Sequence, residues 1–203
     1  MARVVADLLQ VVGIRHIVTV DLHSPQIEGF FHAPVDNLTA VPTLCRAMLD
    51  RVPDNLVVVS PDVGRMGMAT RYAEQCLGAS LVVLHKRRVS GSETKVTHVV
   101  GDVAGRACLI VDDMISTGGT IAESITVLLA AGAGPEIIVA ATHGLFVLDA
   151  RKKLSHPAVR EVIVTDTVSQ KEKDWPQLRV ISIAPLIAGA VQRSLANGSL
   201  GEL

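Results

Sequence analysis

Residues 107–120 read ACLIVDDMISTGGT, in which five apolar or small residues run straight into the adjacent carboxylates Asp112 and Asp113 and then into a hydroxyl- and glycine-rich turn. Thr120 stands where a helix should begin, with Glu123 three residues on, so TIAE reads as a capping box fed by the turn Thr117, Gly118 and Gly119. Backbone N–H groups and the positive end of a helix dipole then point into the loop, a ready seat for phosphate, with the Ser116, Thr117 and Thr120 hydroxyls as further donors. Two carboxylates repel a phosphate but accept hydrogen bonds from hydroxyls. The segment therefore suits a ligand in which phosphate and hydroxyls follow one another, a ribose 5-phosphate.

Such a loop needs a scaffold, and the rest of the chain supplies one. Short, near-continuous apolar runs at residues 17–20, 56–59, 81–84, 108–111, 137–141, 162–165 and 180–183 read as strands buried on both faces. Between them, Val4, Val5, Leu8, Leu9 and Val12 keep helical spacing, as do Met66, Ala69, Ala73 and Cys76, and Ile121, Ile125, Leu128 and Leu129. The alternation predicts an α/β fold, a mostly parallel doubly wound sheet flanked by helices. In such sheets ligands bind beyond the carboxyl ends of the strands. There the sequence places DLHS, SPDVG, HKRR, DDMISTGGT, THG and DT, which together describe one polar, phosphate-sized cleft. The residues around Pro34 and Asn37 interrupt two periodic segments and mark the expected seam between domains.

Composition narrows the partners. The chain has 203 residues, 49% hydrophobic and 19% charged, ample for a sizeable core. A formal net charge of -1 gives no general pull toward nucleic acid or an anionic membrane. No run approaches the roughly 18 apolar residues of a membrane span, and the N-terminus has no secretory cleavage pattern, so a cytoplasmic location is expected. Cys45, Cys76 and Cys108 lie in apolar stretches without CxxC spacing and are expected as free thiols.

The segments VDLHSPQIEGFF, VVVSPDVG, KRR, VVGDVAGR, IVDDMISTGGT, ATHGLF, VTDT and VISIAPLIAGAV, taken in order, resemble the ribose-phosphate pyrophosphokinase family, with the type I phosphoribosyltransferase fold. The resemblance implies transfer of the β,γ-diphosphoryl group of ATP to the 1-hydroxyl of ribose 5-phosphate, with Mg2+, giving AMP and phosphoribosyl pyrophosphate. Carried onto this chain, it implies that Asp112 and Asp113 hold the ribose hydroxyls and that Ser116, Thr117, Gly118, Gly119 and Thr120 hold the 5-phosphate. It assigns Lys86 and Arg88 to a mobile catalytic loop, and His23 and Asp62 to the metal–nucleotide side. A homo-oligomer, or association with a synthetase subunit, is implied as well. Residues 1–35 resemble the end of a preceding phosphoribosyltransferase-like domain, and residues 36–203 the domain that carries the ribose 5-phosphate loop.

Two positions depart from the pattern. Ser116 stands where the family usually has an acid, and Arg65 replaces the second glycine of PDVGG, setting a cation beside Asp62. With aromatics at only 2%, no aromatic platform for adenine is evident. A non-catalytic, synthetase-like binding or regulatory subunit and a phosphoribosyltransferase are the alternatives.

Overall fold

A computed structural model describes the backbone of residues 1–76, 78–90, 93–170 and 174–201, and the side chains of these except 75, 76, 86–90 and 93–97. The chain divides into two compact units, one of residues 1–40 with 183–203, the other of residues 41–182.

The larger unit is built on seven strands: β3 (Val57–Ser60), β4 (Ser80–Ser90), β5 (Glu93–Val100), β6 (Cys108–Ile115), β7 (Ile137–Gly144), β8 (Val159–Thr165) and β9 (Leu178–Ile181), in the order β5-β4-β3-β6-β7-β8-β9. All neighbours pair in parallel except β4 and β5. The expected mostly parallel sheet is present. Its central strands are buried along both faces, with Val57, Cys108 and Val139 on one face and Val58, Leu109 and Ile138 on the other all fully inaccessible, which accounts for their unbroken apolar runs. Helices α2 (Val41–Met48), α3 (Met66–Cys76), α4 (Gly119–Ala130) and α5 (Ala150–Leu154) accompany this sheet. Ile121, Ile125 and Leu128 keep the i, i+4, i+7 spacing that lays one side of α4 into the core cluster with Ile115, Val139 and Val164.

Chain order leaves β3 for β4 on one side and returns to β6 on the other. The direction of winding therefore reverses between β3 and β6. In sheets wound this way the loops beyond adjacent strand ends at a switch point diverge and leave a crevice, the usual place for a ligand.

The smaller unit contains α1 (Ala2–Val11), β1 (Ile17–Val20), a 3-10 turn (Pro25–Phe30), β2 (Val35–Leu38) and α6 (Ala184–Leu195). Strand β1, expected over residues 17–20, pairs in parallel with β2 in a two-stranded sheet distinct from the seven-stranded one. β2 itself was not expected, because VDNL lacks an apolar run and gains its strand geometry from β1. At the end of β1 the buried Asp21 has φ 44, and its Oδ2 accepts a hydrogen bond of 2.9 Å from the Ala40 amide. A short polar side chain tolerates this left-handed geometry better than a branched one.

The thiol expectation fails in part. Cys108 is free and buried, and burial pushes its thiol up to about 11, the nearby Arg106 charge acting weakly the other way. Cys45, on α2, is disulfide-bonded. Local motif spacing says nothing of bridges between different elements, which depend on how those elements pack. The side chain of Cys76 lies outside the described residues.

Candidate functional site

Both groups of the opening motif stand at the carboxyl end of β6, beside the switch point. Asp112 and Asp113 still belong to the strand, which ends at Ile115, and Gly119 already begins α4. Only residues 116–118 join the two. The expected capping box is absent: the N-cap is Gly118, with φ 69 and ψ 6, and no side chain caps the helix. Thr120 sits inside the first turn, where its carbonyl accepts a 2.8 Å hydrogen bond from the Ser124 hydroxyl. Paired glycines permit a tighter turn than a threonine cap would, so the helix starts earlier. A glycine N-cap also supplies no side-chain acceptor for the first-turn amides, which remain a suitable donor set for an anion.

The loop is fastened by its surroundings. The amides of Leu145 and Phe146 donate to the Ile115 carbonyl at 3.0 and 3.1 Å, and that of Val147 to the Ser116 carbonyl at 3.0 Å. A Cβ on Gly118 would stand 3.4 Å from the backbone of Ala150. Gly118→Ala is expected to cost about 1–2 kcal/mol, since an L side chain resists this positive φ. Thermal denaturation reads that cost, and titration with inorganic phosphate should show weaker binding.

One cation near the loop escaped the sequence reading. Lys153 on α5 donates from Nζ to the Thr117 carbonyl at 3.2 Å and pairs with Asp149 at 2.8 Å. It lies 36 residues from Thr117, and its run ARKKL looks like an ordinary solvated face. The only signal was a basic cluster following a strand end.

Arg65 holds the acid pair. Its Nε lies 3.1 Å from Asp112 Oδ1, and one of its terminal nitrogens lies 3.2 Å from Asp113 Oδ1. The side chains of Arg65, Asp112 and Asp113 are 20%, 13% and 2% exposed, so these contacts lie largely out of water. The same two oxygens also accept backbone donors, Asp112 Oδ1 from the Asp113 amide and Asp113 Oδ1 from the Met114 amide, both at 2.9 Å. Arg65 is aimed by the turn after β3, where Asp62 caps a 3-10 turn by accepting the Arg65 amide at 3.1 Å. The Ser60 hydroxyl in turn donates to the Asp62 carbonyl at 2.6 Å.

Burial first, then the hydrogen bond and negative charge of Asp113, push the Asp112 carboxyl from its ordinary 3.8 up to about 7; the Arg65 charge opposes them without cancelling them. Between those two values the folded chain holds a proton that the unfolded chain releases. Its stabilising contribution is complete below 3.8 and disappears as pH rises through about 7. The urea midpoint is thus expected to fall as pH climbs from about 5 to 8, and Asp112→Asn should flatten that segment of the profile.

The other expected site residues are placed as follows. Asp62 follows β3 in the larger unit, whereas the exposed His23 belongs to the smaller one. Among the described residues, no three His, Cys, Asp or Glu side chains gather as a metal site. Lys86 and Arg88 fall on β4, and their side chains lie outside the described residues. The stretch expected to be a loop pairs with β5 instead, Lys86 opposite Val96 and Arg88 opposite Thr94. Gly91 and Ser92 also lie outside the described residues. At the ends of β7 and β8, Nδ1 of His143 lies 2.9 Å from the Thr167 hydroxyl, and Thr165 donates to the Thr142 carbonyl at 2.6 Å. These bonds tie two neighbouring strand ends together.

Comparison with known proteins agrees with this arrangement. The model of the phosphoribosyl synthetase-associated domain matches residues 87–203. A ribose-phosphate pyrophosphokinase of Corynebacterium efficiens is 45% identical over 205 residues, covering 100% of this chain and 63% of that protein. One from Mycobacterium bovis is 47% identical over 206 residues, with the same coverage. The crystal structure of phosphoribosylpyrophosphate synthetase from Mycobacterium smegmatis superposes with a TM-score of 0.86 at 43% identity, over 97% of this chain and 64% of that one. The chain thus spans somewhat under two thirds of the length of these relatives. With its motifs in order on the matching fold, the chain belongs to the phosphoribosyl synthetase-associated domain family, alongside the ribose-phosphate pyrophosphokinases.

Proposed function

We propose that this chain binds ribose 5-phosphate and serves as the sugar-phosphate half of a ribose-phosphate diphosphokinase, which moves the diphosphoryl group of ATP to the sugar's 1-hydroxyl. The observation that carries the reading is the joint position, at the switch point, of a glycine-capped helix N-terminus and an acid pair of which Asp113 is buried and Asp112 mostly so. The first matches a terminal phosphate and the second a diol. Ser116, Thr117 and Thr120 add hydroxyl donors around the phosphate. The names of the relatives supply the reaction.

Phosphoryl transfer depends on positioning and on compensation of developing negative charge more than on covalent chemistry. The loop fixes the far end of the sugar, so that its 1-hydroxyl is presented to the nucleotide at a set distance. Lys86 and Arg88, on the β4–β5 ladder, would neutralise charge on the bridging and equatorial oxygens. Mg2+ bound to the ATP phosphates would supply further neutralisation. Its usual shell takes one or two carboxylates besides phosphate and water. Asp62 offers such a carboxylate. Exposed Val4, Leu8 and Val12, on and just after α1, support association with a second copy or a synthetase subunit. No helix among the described residues is long and apolar enough to cross a membrane, and we place the protein in the cytoplasm.

The test is calorimetry with ribose 5-phosphate, followed by a coupled assay for AMP from ATP, ribose 5-phosphate and Mg2+. Saturable sugar-phosphate binding is expected, and its absence would overturn the reading. Binding without AMP formation would favour the non-catalytic subunit, the reading to which the Arg65 clamp on the acid pair lends support. In an active preparation, Lys86→Ala should lower kcat by about 10²–10³-fold while sparing sugar-phosphate affinity, as for a contact made chiefly in the transition state.

A further inference from the structure

The acid pair is the place where a sugar diol would sit, yet a cation of the same chain already lies across it. Arg65 reaches Asp112 Oδ1 at 3.1 Å and Asp113 Oδ1 at 3.2 Å. Each of those oxygens also takes a backbone amide at 2.9 Å. Both Oδ1 atoms therefore serve two donors from the protein itself. A guanidinium fork spanning two carboxylates is a strong, planar, charge-assisted contact, stronger than the hydrogen bonds of a neutral hydroxyl to the same atoms. The fork is also held in place from behind. The Asp62 side chain accepts the Arg65 amide at 3.1 Å, and the Ser60 hydroxyl fixes the Asp62 carbonyl at 2.6 Å, so the arginine backbone is oriented toward β6 by the turn that ends β3.

Resting on the sugar-phosphate reading above, we infer that Arg65 is a specificity-determining residue that competes with the sugar's diol for Asp112 and Asp113. The phosphate loop binds its anion regardless of Arg65, since the amides that open α4 do not involve it. A ligand that also carries a diol must displace the guanidinium before its hydroxyls reach both acids. Arg65 thereby narrows the difference in affinity between a sugar phosphate and a bare phosphate. A glycine at position 65 would leave the acids open to the diol.

Calorimetric titration of the wild-type chain, Arg65→Gly and Arg65→Lys with ribose 5-phosphate, and separately with inorganic phosphate, tests this. Arg65→Gly is expected to bind ribose 5-phosphate roughly tenfold more tightly, with inorganic phosphate affinity unchanged. Arg65→Lys, a point charge without the fork, should gain only a few-fold. It also retains a charge partner for the acids should the glycine variant not fold. Ribose 5-phosphate affinity that is equal in wild type and variants, or weaker in the variants, would overturn the competition while leaving the sugar-phosphate reading intact. If no protein binds either ligand, the sugar-phosphate reading falls, and the competition with it.

Discussion

Asp113→Asn is expected to weaken ribose 5-phosphate binding by about 1–3 kcal/mol while the fold survives. Asp113 is 1% exposed at the end of β6, and its charge is engaged by Arg65 at 3.2 Å. Asparagine keeps an oxygen for the Met114 amide, which now donates to Asp113 Oδ1 at 2.9 Å, so the local backbone need not shift. What is lost is the charge that strengthens a hydrogen bond from a sugar hydroxyl. Arg65 would remain on Asp112, so loss of one acid does not clear the site for the ligand. Calorimetry with ribose 5-phosphate reads the change, with inorganic phosphate as the internal reference because the loop amides are untouched. A sugar-phosphate affinity that stayed constant would remove the acid pair from the ligand site.

Leu128→Ala should produce the largest loss of stability, about 2–5 kcal/mol. Leu128 is fully buried on α4, in one cluster with Ile121 and Ile125 on the same face. Truncation removes the isopropyl group from a core whose neighbours are held by a parallel sheet, so the cavity cannot close fully. A lower urea midpoint with an unchanged m value is the expected signature. Phosphate affinity should change little at temperatures where the protein remains folded, because Leu128 lies more than two turns from Gly118. A loss below 1 kcal/mol would mean that this face of α4 repacks freely.

Much of the scaffold could be read from the chain because its signals are local. Every apolar run expected as a strand overlaps one, and the three periodic segments expected as helices correspond to α1, α3 and α4. Burial on both faces demands continuous apolar residues, and burial of one helical face demands a 3.6-residue period. β2 and β5 were missed because their polar residues become strands only through their neighbours, β1 and β4. The start of α4 was misplaced by two residues, since TIAE fits a capping box while the Gly118–Gly119 pair allows an earlier, tighter entry.

The candidate site divides in the same way. By itself the amino-acid sequence determined which residue types end each strand, the order of the motifs, and the pairing of two acids with a glycine-rich turn. Each of those properties resides in neighbouring residues. Only the tertiary structure decided that Arg65 spans both acids, that Lys153 meets the Thr117 carbonyl, and that Cys45 is bridged. Arg65 lies 47 and 48 positions before its partners, and β3 and β6 become neighbours only because the sheet reverses its winding between them. Burial and the neighbouring Asp113 set the protonation of Asp112 against the weaker opposing pull of Arg65, and those surroundings are created by packing.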